Sequence, residues 1–266
     1  MYSRYYKTTQ VLQADLSSEA DVKRLFDNLN NEWPECKVPD VLVVNHGIWP
    51  ETDTRLVDIT LEQWENTLRT NLTGSFLVVR EFLKRVERYG HGIRDKGKKI
   101  AIIFVGSTAG KYGEAQHADY TASKSGKRLS IYSFSQCIHT TLYDWLAMMY
   151  GLMVSLKNEI VQMAPLGRVN CVVPGWVRTP MATSALANLD TFNRTFATSV
   201  PLSLFLSLIF CMLMHTFRMQ LMKVAEPDDV AHQIVLLASP VVSGHVTGQI
   251  VKVDGGMEGR LLNQPK

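Results

Sequence analysis

Glycine is absent from the first 46 residues of this 266-residue chain; the first is Gly47. A glycine-rich turn that brings backbone N–H groups onto a phosphate therefore cannot form in that stretch. Cysteine is scarce too. The four, at 36, 137, 171 and 211, fall at no metal-ligand or redox spacing, so no metal site is expected. Free cysteines in this number fit a reduced, cytoplasmic setting. The opening Met-Tyr-Ser-Arg-Tyr-Tyr-Lys lacks the apolar stretch of a secretory signal. Charge of one sign is not concentrated either: 28 Lys and Arg stand against 25 Asp and Glu, a net charge of +3. The densest basic cluster, Lys96, Lys98 and Lys99, reads as a solvated turn before a buried strand, and nucleic acid is not expected as a partner.

One long hydrophobic run is present. Residues 196–217 carry no Asp, Glu, Lys or Arg, and 202–214 are nearly all apolar. A spanning helix needs about 20 predominantly apolar residues. Pro201, two serines and His215 interrupt the run, so a buried or interfacial helix is expected rather than a membrane span.

Hydrophobic residues make up 46% and charged residues 20%, which suits a single globular domain over 1–266 with a substantial core. Apolar, strand-like runs alternate with amphipathic ones. Strands are expected at 9–14, 41–44, 100–105, 168–173 and 249–253. Helices are expected at 19–29, capped by Ser17 or Ser18, and at 61–88, opened by a Thr60-x-x-Gln63 capping box. Others are expected around Tyr120 and at 230–238. This rhythm points to an α/β fold with a doubly wound parallel sheet, whose ligands sit beyond the carboxyl ends of the strands. The polar residues Asp15, Asn45, Gly47, Ser107 and Pro174-Gly175 fall at those ends.

Tyr120 and Lys124 are at i and i+4, on one face of a helix. A nearby ammonium favours phenolate and lowers a tyrosine pKa from its usual value near 10. Such a tyrosine can exchange protons with an alcohol or ketone. Ser107, at the end of a strand, has a hydroxyl suited to the same oxygen.

Several motifs occur in one order: Val-Asn-His-Gly at 44–47, Asn71 in Arg-Thr-Asn-Leu-Thr-Gly, Val-Gly-Ser-Thr-Ala-Gly at 105–110, Tyr-Thr-Ala-Ser-Lys at 120–124, Pro-Gly-Trp-Val-Arg-Thr-Pro-Met at 174–181, and Val-Thr-Gly-Gln-Ile-Val-Lys-Val-Asp-Gly-Gly at 246–256. Together they resemble the short-chain dehydrogenase/reductase family. The resemblance implies an oxidoreductase that moves a hydride between a nicotinamide cofactor, NAD or NADP, and a small carbonyl or secondary-alcohol substrate. It implies Tyr120 as general acid or base, Lys124 lowering its pKa and holding the nicotinamide ribose, Ser107 orienting the substrate oxygen, and Asn71 supporting a proton-relay water. It implies Asp15 at the adenine, Asn45 and Gly47 lining the cofactor cleft, and Gly175 and Thr179 beside the nicotinamide. His46 stands where alanine is more usual in the family and is read as a packed loop histidine.

Three departures from the pattern follow. The family opens with a strand, a glycine-rich turn, a helix and a second strand, so this chain resembles a sheet lacking the first two strands and first helix. Segment 9–14 is then expected to pair directly with 41–44. Residues 126–146 and 203–222 are insertions of unlike composition. Their removal restores the family's spacing, and they read either as retained introns or as real loops, the second an apolar lid. Relatives assemble as homo-oligomers through the helices around the tyrosine, and the first insertion interrupts that face.

Overall fold

The computed structural model describes residues 9–34, 38–89, 99–125, 147–182, 221 and 223–257. Four strands, β1 (Val41–Val44), β2 (Ala101–Val105), β3 (Arg168–Pro174) and β4 (Ile250–Val253), lie parallel in the order β1-β2-β3-β4. The helices are α1 (Glu19–Glu32), α2 (Leu61–Leu68), α3 (Gly74–Arg88), α4 (Ala109–Tyr112), α5 (Ala118–Lys124), α6 (Ala147–Met163) and α7 (Pro227–Ala238). This is a Rossmann-like parallel α/β sheet.

Both faces of the sheet are covered, which explains why the central strand β2 reads as an unbroken apolar run and why the two polar residues of β3, Arg168 and Asn170, are buried with hydrogen-bond partners. Successive side chains point to opposite faces. Ile102 and Phe104 of β2 pack with Val22 and Phe26 of α1, Phe82 of α3 and Met153 and Ile160 of α6. Ile103 turns the other way, onto Val172 of β3 and onto Val230 and Leu237 of α7. Each of the larger side chains contributes about 2 kcal/mol through burial. α7 is secured at its end by Arg168, whose guanidinium donates to the carbonyls of Leu237 (2.6 Å), Ser243 (2.9 Å) and Ala238 (2.8 Å). A cation at a helix C-terminus satisfies carbonyls that have no intrahelical partner.

Local signals fixed most helix starts. Ser18, not Ser17, caps α1, accepting from Asp21 N–H at 3.4 Å. Thr60 caps α2 by accepting from Gln63 N–H at 3.1 Å. The Gln63 side chain does not close the expected box; its amide donates to Asp119 at 3.1 Å. The expected helix 61–88 is not continuous α-helix. A π-helical turn over Arg69–Thr73 separates α2 from α3 and carries Asn71. Such turns insert a residue and re-aim a side chain.

Segment 9–14 departs from expectation: it forms no strand and does not pair with β1. Strand-forming residues become a strand only with a hydrogen-bonding neighbour. Here Val11 is 91% exposed, and the chain is anchored instead at the start of α1. Among the described residues β1 is therefore an edge, with Val41 39% and Val43 40% exposed. α6 begins at Ala147, where removal of 126–146 would resume the helix, and ends at Met163. Segment 126–146 and all of 203–222 but Leu221 lie outside the described residues, as does the apolar run 202–214. No helix among the described residues is long and apolar enough to cross a membrane.

Candidate active site

A cavity of about 540 Å³ opens beyond the carboxyl ends of β1, β2 and β3. The turns after those strands supply Asn45 and Gly47, Ser107, and Gly175 and Thr179 to its wall, and α5 supplies Tyr120 and Lys124. Seven of the nine residues singled out from the sequence thus meet in one cavity. Asn71 sits behind the wall and Asp15 outside it.

Tyr120 and Lys124 are 8% and 4% exposed, so the helical pair is directed inward. The Lys124 ammonium is 6.0 Å from the centre of the Tyr120 ring. Burial brings the Lys124 pKa down to about 8, with the neighbouring Cys171 slightly opposing. Burial pushes the Tyr120 pKa above its ordinary value. A hydrogen bond with Ser107 pulls it back, and the charge of Glu114 pushes it further up. The direction is opposite to the one expected from the Tyr-x-x-x-Lys spacing. Desolvation of the phenolate outweighs any help from an ammonium across the ring.

Asn71 is fully buried and joins three segments. Its Oδ1 accepts from Ile48 N–H at 2.7 Å, and its Nδ2 donates to the Ile48 carbonyl at 3.0 Å and to Ser123 Oγ at 2.9 Å. Ser123 in turn donates to the Tyr120 carbonyl at 2.7 Å. The π turn thereby fixes both the loop after β1 and the helix that carries the tyrosine.

Gly47 is a close-approach position: a Cβ there would stand 3.2 Å from both Asn71 Oδ1 and Lys124 Nζ. Gly175 is another, since its Cβ would lie 3.0 Å from the Asp254 Cα, and its N–H donates to the Val253 carbonyl at 3.0 Å. A side chain is excluded at both points by the protein's own packing, which lets the loop after β1 close on Asn71 and Lys124 and the turn after β3 close on Asp254. Gly47, Tyr120, Lys124, Gly175 and Thr179 thus line one cavity large enough for the nicotinamide end of a dinucleotide. A glycine-rich phosphate cradle is absent from the described residues before β1.

Asp15 serves a local purpose. Its carboxylate accepts from the Ser17 hydroxyl at 2.7 Å and the Ser17 N–H at 2.9 Å, which lowers its pKa, and it is exposed. The neighbouring Leu16 carbonyl would lie 3.0 Å from a Cβ on Gly74, where His46 Nε2 also packs, at 2.9 Å. His46 is accordingly a packed loop histidine. Burial, reinforced by Lys124, lowers its pKa to about 4, and Nε2 is buried with no hydrogen-bond partner among the described residues.

The sequence reading missed several residues around the cavity. Trp49 stacks 3.9 Å from the His117 ring, 4.6 Å from Tyr120 and 6.2 Å from Trp176. His117 Nε2 meets Asp53 Oδ1 at 3.0 Å. Asp119 is fully buried and satisfied by Thr67 (2.9 Å), Gln63 (3.1 Å) and Tyr120 N–H (2.8 Å), pinning α5 to α2. Glu114 lines the cavity, and burial beside Asp53 raises its pKa to about 7. Aromatic and carboxylate residues clustered after strand ends were the available signal. Cys171 is buried, its pKa pushed up to about 12 by burial, so it is no nucleophile. Among the described residues no group of His, Cys, Asp and Glu could hold a metal.

The family model for short chain dehydrogenase matches residues 4–143. A 3-oxoacyl-[acyl-carrier-protein] reductase of Aquifex aeolicus is 25% identical over 257 residues, 96% of this chain and 79% of that protein. An L-rhamnose 1-dehydrogenase (NAD(P)(+)) of Azotobacter vinelandii is 28% identical over 219 residues, 82% of this chain and 64% of that protein. Among solved structures, the Brucella melitensis 3-ketoacyl-(acyl-carrier-protein) reductase complexed with NADH superposes with a TM-score of 0.64 at 21% identity, covering 92% of this chain and 76% of that one. A putative NAD(P)-dependent gluconate 5-dehydrogenase from Beutenbergia cavernae with bound NADP gives 0.66 at 22% identity, covering 93% of this chain and 76% of that one.

Proposed function

The chain belongs to the short-chain dehydrogenase/reductase family of oxidoreductases, and from that premise we propose that it reduces a small carbonyl compound, or oxidises the matching secondary alcohol, with NAD or NADP. The observation that carries this reading is the meeting of Ser107, Tyr120 and Lys124 in one cavity.

A nicotinamide held in this cavity would supply or accept the hydride at the substrate carbon. The protein handles the oxygen. Ser107 holds it by a hydrogen bond and Tyr120 gives it a proton, converting C=O to CH–OH as the hydride arrives. In the reverse direction the tyrosine removes that proton. Burial raises the Tyr120 pKa, so the phenol form prevails at neutral pH, and that form suits reduction. Lys124 holds the ribose and supplies positive charge when the phenolate forms. Asn71 acts as a positioning residue: it holds Ile48 and Ser123, and through them the loop and helix that flank the proton donor. The relay water and the adenine contact of Asp15 remain expectations of the family resemblance.

A second reading is a family member with impaired cofactor binding.

The two readings part on turnover. NADH or NADPH oxidation is followed with a panel of small ketones, for the unchanged chain and for Tyr120→Phe. The proposal predicts turnover that falls at least about 100-fold in the variant with little change in KM. Turnover equal in both chains would contradict it.

A further inference from the structure

The catalytic reading leaves one cavity residue without a task. Glu114 lies in the wall, and no hydrogen bond or ion pair to its carboxyl group is formed among the described residues. Its only charged companion among the described lining residues is Lys124. The loop that bears it is fixed rather than pliant. The Gln116 carbonyl accepts from Thr54 N–H at 3.0 Å with Gln116 at φ 68°, and His117 is bound to Asp53. Glu114 N–H donates to Thr121 Oγ1 of α5 at 3.1 Å, so the carboxyl group is indexed to the helix that presents Tyr120.

Two aromatic side chains, Trp49 and Trp176, line the same cavity. Trp49 lies edge-on to Tyr120 and at 64° to Trp176, so the two indoles make adjoining sides of a corner. Indole faces are electron-rich and attract the slightly positive C–H groups of a saturated ring, while a carboxyl group takes a hydroxyl as donor or acceptor. A carboxylate or phosphate on the substrate would face Glu114 and have Lys124 as its sole cationic partner among the described lining residues.

Resting on the oxidoreductase reading, we propose that Glu114 determines specificity by binding a second hydroxyl of the substrate, and that the substrate is a neutral, ring-shaped hydroxy ketone or vicinal diol of the cyclic polyol or sugar class. The reacting oxygen sits between Ser107 and Tyr120, the ring lies in the Trp49–Trp176 corner, and the neighbouring hydroxyl reaches Glu114. Glu114 takes no part in the proton or hydride transfer.

The test reads binding independently of turnover, so that it stands apart from the test of the oxidoreductase reading. Affinities of the full chain for cyclohexanol, cis-1,2-cyclohexanediol and cyclohexanecarboxylate are measured by ligand-observed saturation-transfer NMR, with Glu114→Ala and the isosteric Glu114→Gln in parallel. The diol is expected to bind about tenfold more tightly than the mono-alcohol, and the carboxylate most weakly. Glu114→Ala should erase the diol advantage while cyclohexanol affinity holds, which also reports that the variant is folded; Glu114→Gln should keep part of it. Undetectable diol binding, equal affinities for the two alcohols in the unchanged chain, or a diol advantage that survives Glu114→Ala would each overturn the proposal.

Discussion

Asn71 Nδ2 lies 2.9 Å from Ser123 Oγ, and that bond ties the π turn between α2 and α3 to the helix that carries Tyr120. Through the Ile48 backbone the same side chain also holds the loop after β1. Asn71→Ala removes three hydrogen bonds from a fully buried place and leaves Ile48 and Ser123 groups unmet. Stability is expected to fall by about 3 kcal/mol, read as a lower denaturant midpoint with an unchanged slope. A loss below about 0.5 kcal/mol would mean that water replaces the amide without cost.

Lys124 stores an opposing energy. Burial lowers its pKa from 10.5 to about 8, so folding disfavours its proton. The full penalty is present below pH 8, where both folded and unfolded chains are protonated. Between pH 8 and 10.5 the unfolded chain holds the proton and the folded chain does not, so stability rises with pH there. Lys124→Met should remove that rise and be more stable at pH 7 by up to about 3 kcal/mol, while losing turnover. Thermal melts of both chains from pH 7 to 10.5 check this.

Glu114 has the opposite dependence. Its pKa is raised from 4.5 to about 7 by burial and by Asp53. Between those values the unfolded chain has released a proton that the folded chain keeps, so stability falls as pH rises. Glu114→Gln should melt near the unchanged chain at pH 4.5 and progressively above it up to pH 7, with a constant difference beyond. A difference that does not vary with pH would place Glu114 in a more solvated setting.

These groups differ in how far they could be read from the sequence. β2 was legible because burial on both faces makes every position apolar, and β3 by its apolar Val169 and Cys171–Val173, although Arg168 and Asn170 are polar and buried in it. The Tyr120–Lys124 pair was legible as a unit because helical spacing alone puts the two on one face. Its electrostatics were not: spacing says nothing of desolvation, and desolvation sets the direction at Tyr120. The π turn at Asn71 was hidden because its residues fit an uninterrupted helix equally well. Nothing in the sequence sets Asp119 apart from a surface acid; only the fold brings Thr67 and Gln63 to it. Segment 9–14 has strand-forming side chains, yet a strand is made by its neighbour, and β1 does not receive it.

Gly175 tests the close approach of β3 to β4. A Cβ there would come within 3.0 Å of the Asp254 backbone, which cannot swing aside as a side chain would. Gly175→Ala is expected to cost about 1–3 kcal/mol and to weaken nicotinamide binding as the wall shifts. Equal stability and equal cofactor affinity would show that the strand ends are free to part.

The central claim is that this chain works with a nicotinamide cofactor held against Gly47, Tyr120, Lys124 and Gly175. The most direct measurement is titration of NADH and of NADPH into the purified chain, following nicotinamide fluorescence, with Lys124→Met alongside. A saturable enhancement with at least one of the two, weakened at least about tenfold in the variant, is the predicted result. No saturable change up to millimolar cofactor, or identical curves for both chains, would contradict it.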